Sequence, residues 1–130
     1  TTSTTPYGNR EPSFDLCKLA VAAGATLVSR WTTHRPRQAI NAIKKAMQHR
    51  GFALVEIITQ CPTYFGRRAI GSGDPVTGVQ WIDEHSITIR QAKDLPEEEL
   101  LDKLVLGTFV EKLEPVFEGS STYAIPTGED

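Results

Sequence analysis

The 130-residue sequence lacks several features that would assign it to a special class of protein. It has only two cysteines, Cys17 and Cys61, and no Cys-x-x-Cys pair, which excludes a disulfide framework. No apolar run approaches the roughly 20 residues that a membrane-spanning helix needs. The start of the chain also lacks the basic and apolar regions of a signal peptide. We therefore predict a cytoplasmic protein with no membrane partner.

The charges are nearly balanced in number, with 14 basic and 16 acidic side chains, but they are unevenly distributed. Residues 30–68 hold eight basic side chains and one acidic one, whereas residues 69–130 hold four and thirteen. Such segments are usually solvated helix faces, although a basic surface can also receive an anion or an acidic protein. Because no aromatic-rich RNA motif or zinc-finger spacing accompanies the charge, we expect no nucleic-acid partner.

Hydrophobic periodicity predicts an α/β fold. Residues 25–29 and 52–59 are apolar runs, and the second is rich in branched residues, as is typical of a strand buried on both faces of a parallel sheet. Between them, residues 36–50 have helical periodicity, with Pro36 in the first turn and Gly51 after the last. A strand–helix–strand unit predicts parallel pairing with a right-handed crossover. Two such strands cannot cover each other, so we expect them to be part of a larger sheet.

Shorter elements are predicted around this unit. A helix over residues 15–23 begins at an Asp15 cap and ends at Gly24, and a second helix over 75–85 follows Asp74. The other predicted segments are an irregular arm over 1–13, a turn-rich stretch over 60–74, an edge strand over 86–90, an acidic helix over 95–103, a last strand over 104–109 and a flexible tail over 118–130.

Cys61 is the residue whose position points most directly to chemistry. In open α/β sheets, ligands bind beyond the carboxyl ends of the strands. Cys61 lies at such a position, because only Gln60 separates it from the end of the second predicted strand. Its thiol is open to three interpretations. It can be a buried structural group, a ligand of a metal or iron–sulfur cluster, or a nucleophile assisted by His34 or His85.

Cationic side chains also lie close to the carboxyl ends of both predicted strands. Arg67 and Arg68 lie close to Cys61 in sequence, and a cationic neighbourhood lowers the pKa of a thiol. Arg30 and Trp31 follow the first predicted strand. They can bind an anion or stack on a ring, but a packed tryptophan with its arginine paired outside the core is the commoner arrangement.

Three segments resemble the β subunit of 2-oxoacid:ferredoxin oxidoreductases, most closely of the 2-oxoglutarate type. They are FDLCKLAVAAGAT at 14–26, RWTT at 30–33 and GFALVEIITQCPTYFGRR at 51–68. The resemblance extends over about residues 4–110. It implies that residues 14–117 form the C-terminal part of a thiamine-diphosphate-binding domain, an α/β fold with a parallel sheet in three layers. One position departs from the pattern, since Arg35 rather than histidine precedes the proline, and His34 is given no role.

The resemblance also implies an enzyme activity for the whole protein. This activity is CoA-dependent oxidative decarboxylation of a 2-oxoacid, with thiamine diphosphate, Mg²⁺ and a [4Fe-4S] cluster as cofactors. The implied partners are an α subunit, ferredoxin, the 2-oxoacid and coenzyme A. Cys61 matches the last of the four cluster cysteines and is the one metal ligand assigned, whereas Cys17 matches none and is interpreted as a packing thiol.

In the family, the diphosphate–magnesium motif and the other cluster cysteines lie upstream of the matched segments. We therefore assign no catalytic residue, leave the cofactor-binding residues unknown and expect this chain alone to be inactive. An alternative from another class is a non-catalytic α/β module whose basic segment, residues 30–68, docks an acidic partner. A third and weaker alternative is a cysteine-dependent hydrolase.

Overall fold

The computed structural model describes residues 6–8 and 14–115. Most of the predicted arm (1–13) and all of the predicted tail (118–130) lie outside the described residues. The elements are α1 (Leu16–Ala22), β1 (Leu27–Thr32), α2 (Pro36–Gln48), β2 (Ala53–Ile58), a π-helix (Pro62–Ile70), α3 (Pro75–Glu84), β3 (Ser86–Thr88), α4 (Ile89–Ala92), α5 (Glu97–Leu100) and β4 (Leu104–Glu111).

The predicted strand–helix–strand unit is confirmed. β1 and β2 pair in parallel from Leu27 opposite Ala53 to Thr32 opposite Ile58, and α2 connects them. The first strand lies two to three residues later in the chain than predicted, because residues 25 and 26 come before the first ladder pair. The α/β class is therefore confirmed.

The sheet is mixed and not wholly parallel as expected. Its strand order is β2-β1-β4-β3, and β4 lies antiparallel to β1 but parallel to β3. The predicted last strand thus exists and occupies a central place in the sheet. Its direction is a property of its pairing with the distant strand β1, and no local sequence pattern carries that information.

Local sequence signals explain most of the helix boundaries. The Asp15 side chain accepts a hydrogen bond from the Lys18 backbone N–H at 3.1 Å, and Asp74 accepts one from Thr77 at 2.8 Å, so both predicted caps are confirmed. The predicted edge strand over 86–90 is shorter than expected. It ends at Thr88, which begins α4 with a capping box.

The stretch after Cys61 is a π-helix, where the sequence predicted only turns. The Gly66 backbone N–H donates to the carbonyl of Cys61 at 2.8 Å, five residues earlier, which is the spacing of a π-helical turn. A Cβ atom on Gly66 would lie 2.6 Å from the backbone oxygen of Ser72. The tight return of the chain at this point therefore requires glycine.

The core lies between α1 and one face of the sheet. Cys17 and Ala20 of α1 pack with Ala25 and Val28, and the half-buried side chains of Leu54, Phe109 and Val110 complete this cluster. The outermost strand β2 is half-buried at every residue, so the expected burial on both of its faces is not found in the described part of the chain. No helix within residues 6–8 and 14–115 is long and apolar enough to cross a membrane.

Candidate functional site

A cavity of about 250 Å³ lies at the carboxyl end of β2, where the sequence placed the ligand-binding edge. One side is formed by the end of β2 and the start of the π-helix, through Ile58, Gln60, Cys61 and Pro62. The other side is formed by α3, through Trp81 and Ile82, and by Leu104 at the start of β4. The lining is mostly apolar, so a group bound here would lie in a low-dielectric environment.

Cys61 lies on the rim of this cavity as a free and exposed cysteine. This position agrees with the expected one, beyond the end of the second strand. The interpretation of Cys61 as a buried structural thiol is wrong, because its side chain is exposed. Cys17, by contrast, is fully buried on α1, as expected for a packing thiol.

The first turn of the π-helix lowers the pKa of the Cys61 thiol below its ordinary value. The main causes are the backbone N–H groups of Phe65 and Tyr64, followed by the hydroxyl of Thr63, whose oxygen lies 3.8 Å from the sulfur. Neither Arg67 nor Arg68 is among these causes. The expectation that these arginines lower the pKa of Cys61 is therefore wrong. The Arg67 side chain packs instead against Gly73.

Neither of the proposed bases reaches Cys61. His34 lies 3.5 Å from the carboxylate of Asp83. The ring of His85 stacks on Trp81 at 4.0 Å between centroids, and its Nδ1 lies 2.7 Å from the Trp81 carbonyl oxygen. A nucleophilic cysteine needs a base within hydrogen-bond reach. The described residues therefore do not support the hydrolase alternative.

Two aromatic rings form one wall of the cavity. Phe65 of the π-helix meets Trp81 of α3 edge-to-face, with 5.4 Å between ring centroids. This arrangement is favourable for aromatic quadrupoles and fixes the π-helix against α3.

Within the described part of the chain, no three metal-binding side chains come together. Cys61 offers one sulfur ligand, and in residues 6–8 and 14–115 it is not part of a group of three or more possible metal ligands. Any metal group at this edge would need its other ligands from elsewhere.

Arg30 is buried and forms ion pairs within the described structure, so it is not a surface site for an anion. Arg30 is 8% exposed and pairs with Asp15 at 2.7 Å and Glu56 at 2.5 Å. Its guanidinium carbon also lies 5.4 Å from the centre of the Phe109 ring. Burial of the charge is compensated by these two carboxylates.

The surroundings of Arg30 shift two pKa values in opposite directions, raising that of Cys17 and lowering that of Asp15. Burial raises the pKa of Cys17 to about 12, and its hydrogen bond to Glu56, at 3.2 Å, acts in the same direction. Burial alone would raise the pKa of Asp15, but the Lys18 N–H and Arg30 outweigh it and lower that pKa. Cys17 is therefore an unreactive thiol.

Other cations of the basic segment also pair with acidic residues from later in the chain. Arg35 lies 3.4 Å from Asp83, and Lys45 lies 2.5 Å from Glu111. These ion pairs join the basic and acidic halves of the sequence. The module that docks an acidic partner through residues 30–68 is therefore not favoured.

Comparisons with known proteins agree with this fold. Residues 1–57 match the family described as thiamine pyrophosphate enzyme, C-terminal TPP binding domain. The 2-oxoglutarate synthase subunit KorB of Methanocaldococcus jannaschii is 49% identical over 115 residues, which are 88% of this chain and 42% of that protein. The subunit of the same name from Methanothermobacter thermautotrophicus is 43% identical over 113 residues, which are 87% of this chain and 39% of the relative.

A solved structure shows the same relationship. It is a 2-oxoglutarate:ferredoxin oxidoreductase from Magnetococcus marinus with 2-oxoglutarate, coenzyme A and succinyl-CoA bound. The match has a TM-score of 0.61 and 26% identity, and it covers 86% of this chain and 38% of the other. The chain thus spans about two-fifths of the length of these relatives.

The fold and the family match define a domain of the thiamine-diphosphate enzyme class. Within that class, the chain is similar over most of its length to a part of the 2-oxoglutarate synthase subunits and of the 2-oxoglutarate:ferredoxin oxidoreductase structure.

Proposed function

We propose that this chain is part of the β subunit of an enzyme that oxidises a 2-oxoacid, most specifically 2-oxoglutarate, and transfers the electrons to ferredoxin. The reaction would use coenzyme A as acyl acceptor and would require an α subunit. The proposal is supported by the identity of 49% to a 2-oxoglutarate synthase subunit across 88% of the chain. Thiamine diphosphate, held with Mg²⁺ by other parts of the subunit, would supply the electron sink for decarboxylation. We place this enzyme in the cytoplasm.

The observation that carries the site is the exposed Cys61 at the carboxyl-end rim. We propose that its sulfur is one of four cysteine ligands of a [4Fe-4S] cluster. A cluster takes thiolates, and the N–H groups of Phe65 and Tyr64 lower the pKa of this thiol. The sulfur is exposed and can therefore meet ligands contributed from outside the described residues.

The surrounding residues have a supporting role. Cys61 directly precedes the π-helix, and Pro62 restricts the backbone φ angle immediately after it. Phe65 and Trp81 line the same cavity as Cys61, and the solvent exposure of a cluster is one of the factors that set its reduction potential. The cluster would transfer single electrons, and this chain would contribute the ligand and its environment.

The test compares two cysteine variants in the complete β subunit purified with its α subunit. Cys61→Ser should lose most of the iron, acid-labile sulfide and visible absorbance assigned to the cluster. It should also lose 2-oxoglutarate-dependent reduction of ferredoxin while it still binds thiamine diphosphate. Cys17→Ala is the matched control, because this thiol is buried and does not line the cavity, and it should keep the full iron content.

The two parts of the proposal can fail separately. Retention of full iron and sulfide by Cys61→Ser would exclude Cys61 as a ligand but would leave the enzyme class intact. Absence of 2-oxoacid-dependent ferredoxin reduction in the unmodified complex, whatever its iron content, would exclude the proposed reaction.

A further inference from the structure

A second cavity, of about 330 Å³, lies on the sheet face that carries Arg30, and the proposed reaction gives it no role. Its floor is apolar and includes Phe109, Ile89 and Leu100. Its charged lining is formed by Lys18, Lys93, Lys103 and Arg30, and among the described residues Asp15 is its one acidic side chain. The volume is at the lower end of the range for small-molecule sites, roughly 300–1,000 Å³.

The three lysines come from separate parts of the fold. Lys18 belongs to α1, Lys93 directly follows α4 and Lys103 directly precedes β4. In the described part of the chain none of these ammonium groups forms a salt bridge or hydrogen bond, whereas Lys45 and Lys112 are paired. The convergence of like charges around one cavity is unfavourable unless an anion balances them.

The buried network does not neutralise these lysines. Asp15 already accepts from Arg30 and from the Lys18 backbone, and Glu56 lies on the other side of Arg30 as its second partner. Arg30 with its two carboxylates carries one net negative charge. The three lysines therefore leave the cavity lining and this network together with a net charge of +2.

We infer that this cavity binds an organic phosphate, with its phosphate between the lysines and its apolar part against Phe109 and Leu100. Lysine is a common phosphate binder that acts as a point charge. A phosphate monoester carries about −1.5 to −2 charges at pH 7, which suits a cluster of cations better than one carboxylate does. The inference is independent of the role of Cys61.

The test measures the reactivity of each lysine toward an acetylating reagent in the complete β subunit with its α subunit, by peptide mass spectrometry. ADP is the probe, and adenosine, which has the same base and sugar but no phosphate, is the ligand control. ADP should slow acetylation of Lys93 and Lys103 several-fold. Lys44 of α2, which lines neither described cavity, should react at an unchanged rate.

A charge variant provides the second measurement. Lys93→Met with Lys103→Met should weaken ADP binding at least tenfold in a calorimetric titration, and Lys44→Met should leave it unchanged. The inference is wrong if adenosine protects as well as ADP, if ADP protects none of the lysines, or if the double variant binds ADP normally. It is also wrong if these lysines are unreactive before ligand is added, because the cavity would then be filled by protein.

Discussion

Replacement of Arg30 by methionine should destabilise the protein far more than the loss of a surface ion pair. Methionine retains the length of the side chain but removes both charge-assisted bonds, at 2.7 Å to Asp15 and 2.5 Å to Glu56. Glu56 has only 18% of its side chain exposed, so its carboxylate would remain mostly buried without a cation. Breaking one partner of a buried ion pair costs about 3–5 kcal/mol. Because Asp15 is 28% exposed and can be solvated, we expect about 3 kcal/mol.

A double-mutant cycle isolates the interaction. Glu56→Gln keeps the shape of the side chain and should cost about 1–2 kcal/mol through the weakened hydrogen bonds. The loss of unfolding free energy in the double variant should be about 1–2 kcal/mol smaller than the sum of the two single losses. In the double variant, residue 56 is an uncharged amide, so no buried carboxylate remains there without its cation. Urea unfolding followed by fluorescence of Trp31 and Trp81 measures each free energy of unfolding.

The control is Lys45→Met, which removes a salt bridge whose partners are about half exposed. Surface pairs contribute about 0–1 kcal/mol. If Arg30→Met costs no more than Lys45→Met, or if the two network variants add without coupling, the assignment of a cooperative buried network is wrong.

Two further predictions concern thiol reactivity and backbone strain. Iodoacetamide at pH 8 should modify Cys61 and spare Cys17, whose pKa of about 12 leaves almost no thiolate, and the rate at Cys61 should fall as pH drops below its lowered pKa. Equal modification of both thiols in the folded protein would contradict this. Gly107→Ala should cost about 1–3 kcal/mol, because Gly107 has φ of 140° and a Cβ would lie 2.9 Å from Ile89 Cδ1. Gly24→Ala, where φ is 87° with open space, should cost less, as comparison of their unfolding midpoints would show.

The parts of the fold that follow from local signals could be predicted from the sequence. The branched apolar run over β2, the periodicity of α2 and the caps at Asp15 and Asp74 each depend on residues close together in the chain. The same holds for the place of Cys61, because the end of a parallel strand fixes which edge of the sheet it reaches.

The missed features depend on contacts between distant residues or on less common backbone geometry. The antiparallel direction of β4 is decided by its pairing with β1. The π-helix after Cys61 contains Pro62 and Gly66 and is followed by Gly71, and these residue types favour turns in a prediction from sequence. The start of α4 follows from a local signal, because Thr88 and Gln91 are spaced as in a capping box. The same residues fall within the strand predicted over 86–90, which ends at Thr88.

The pairing of Arg30 with Glu56 also determines how β1 and β2 can align. These residues are direct partners across the two parallel strands. A slip of one residue would place Val55 or Ile57 opposite Arg30 and would turn Glu56 to the other face of the sheet. A slip of two residues would restore the face but place Leu54 or Ile58 there. Among these alignments, only the observed one gives the buried guanidinium its second carboxylate, so the ion pair selects a single alignment of two strands whose apolar residues alone would tolerate several.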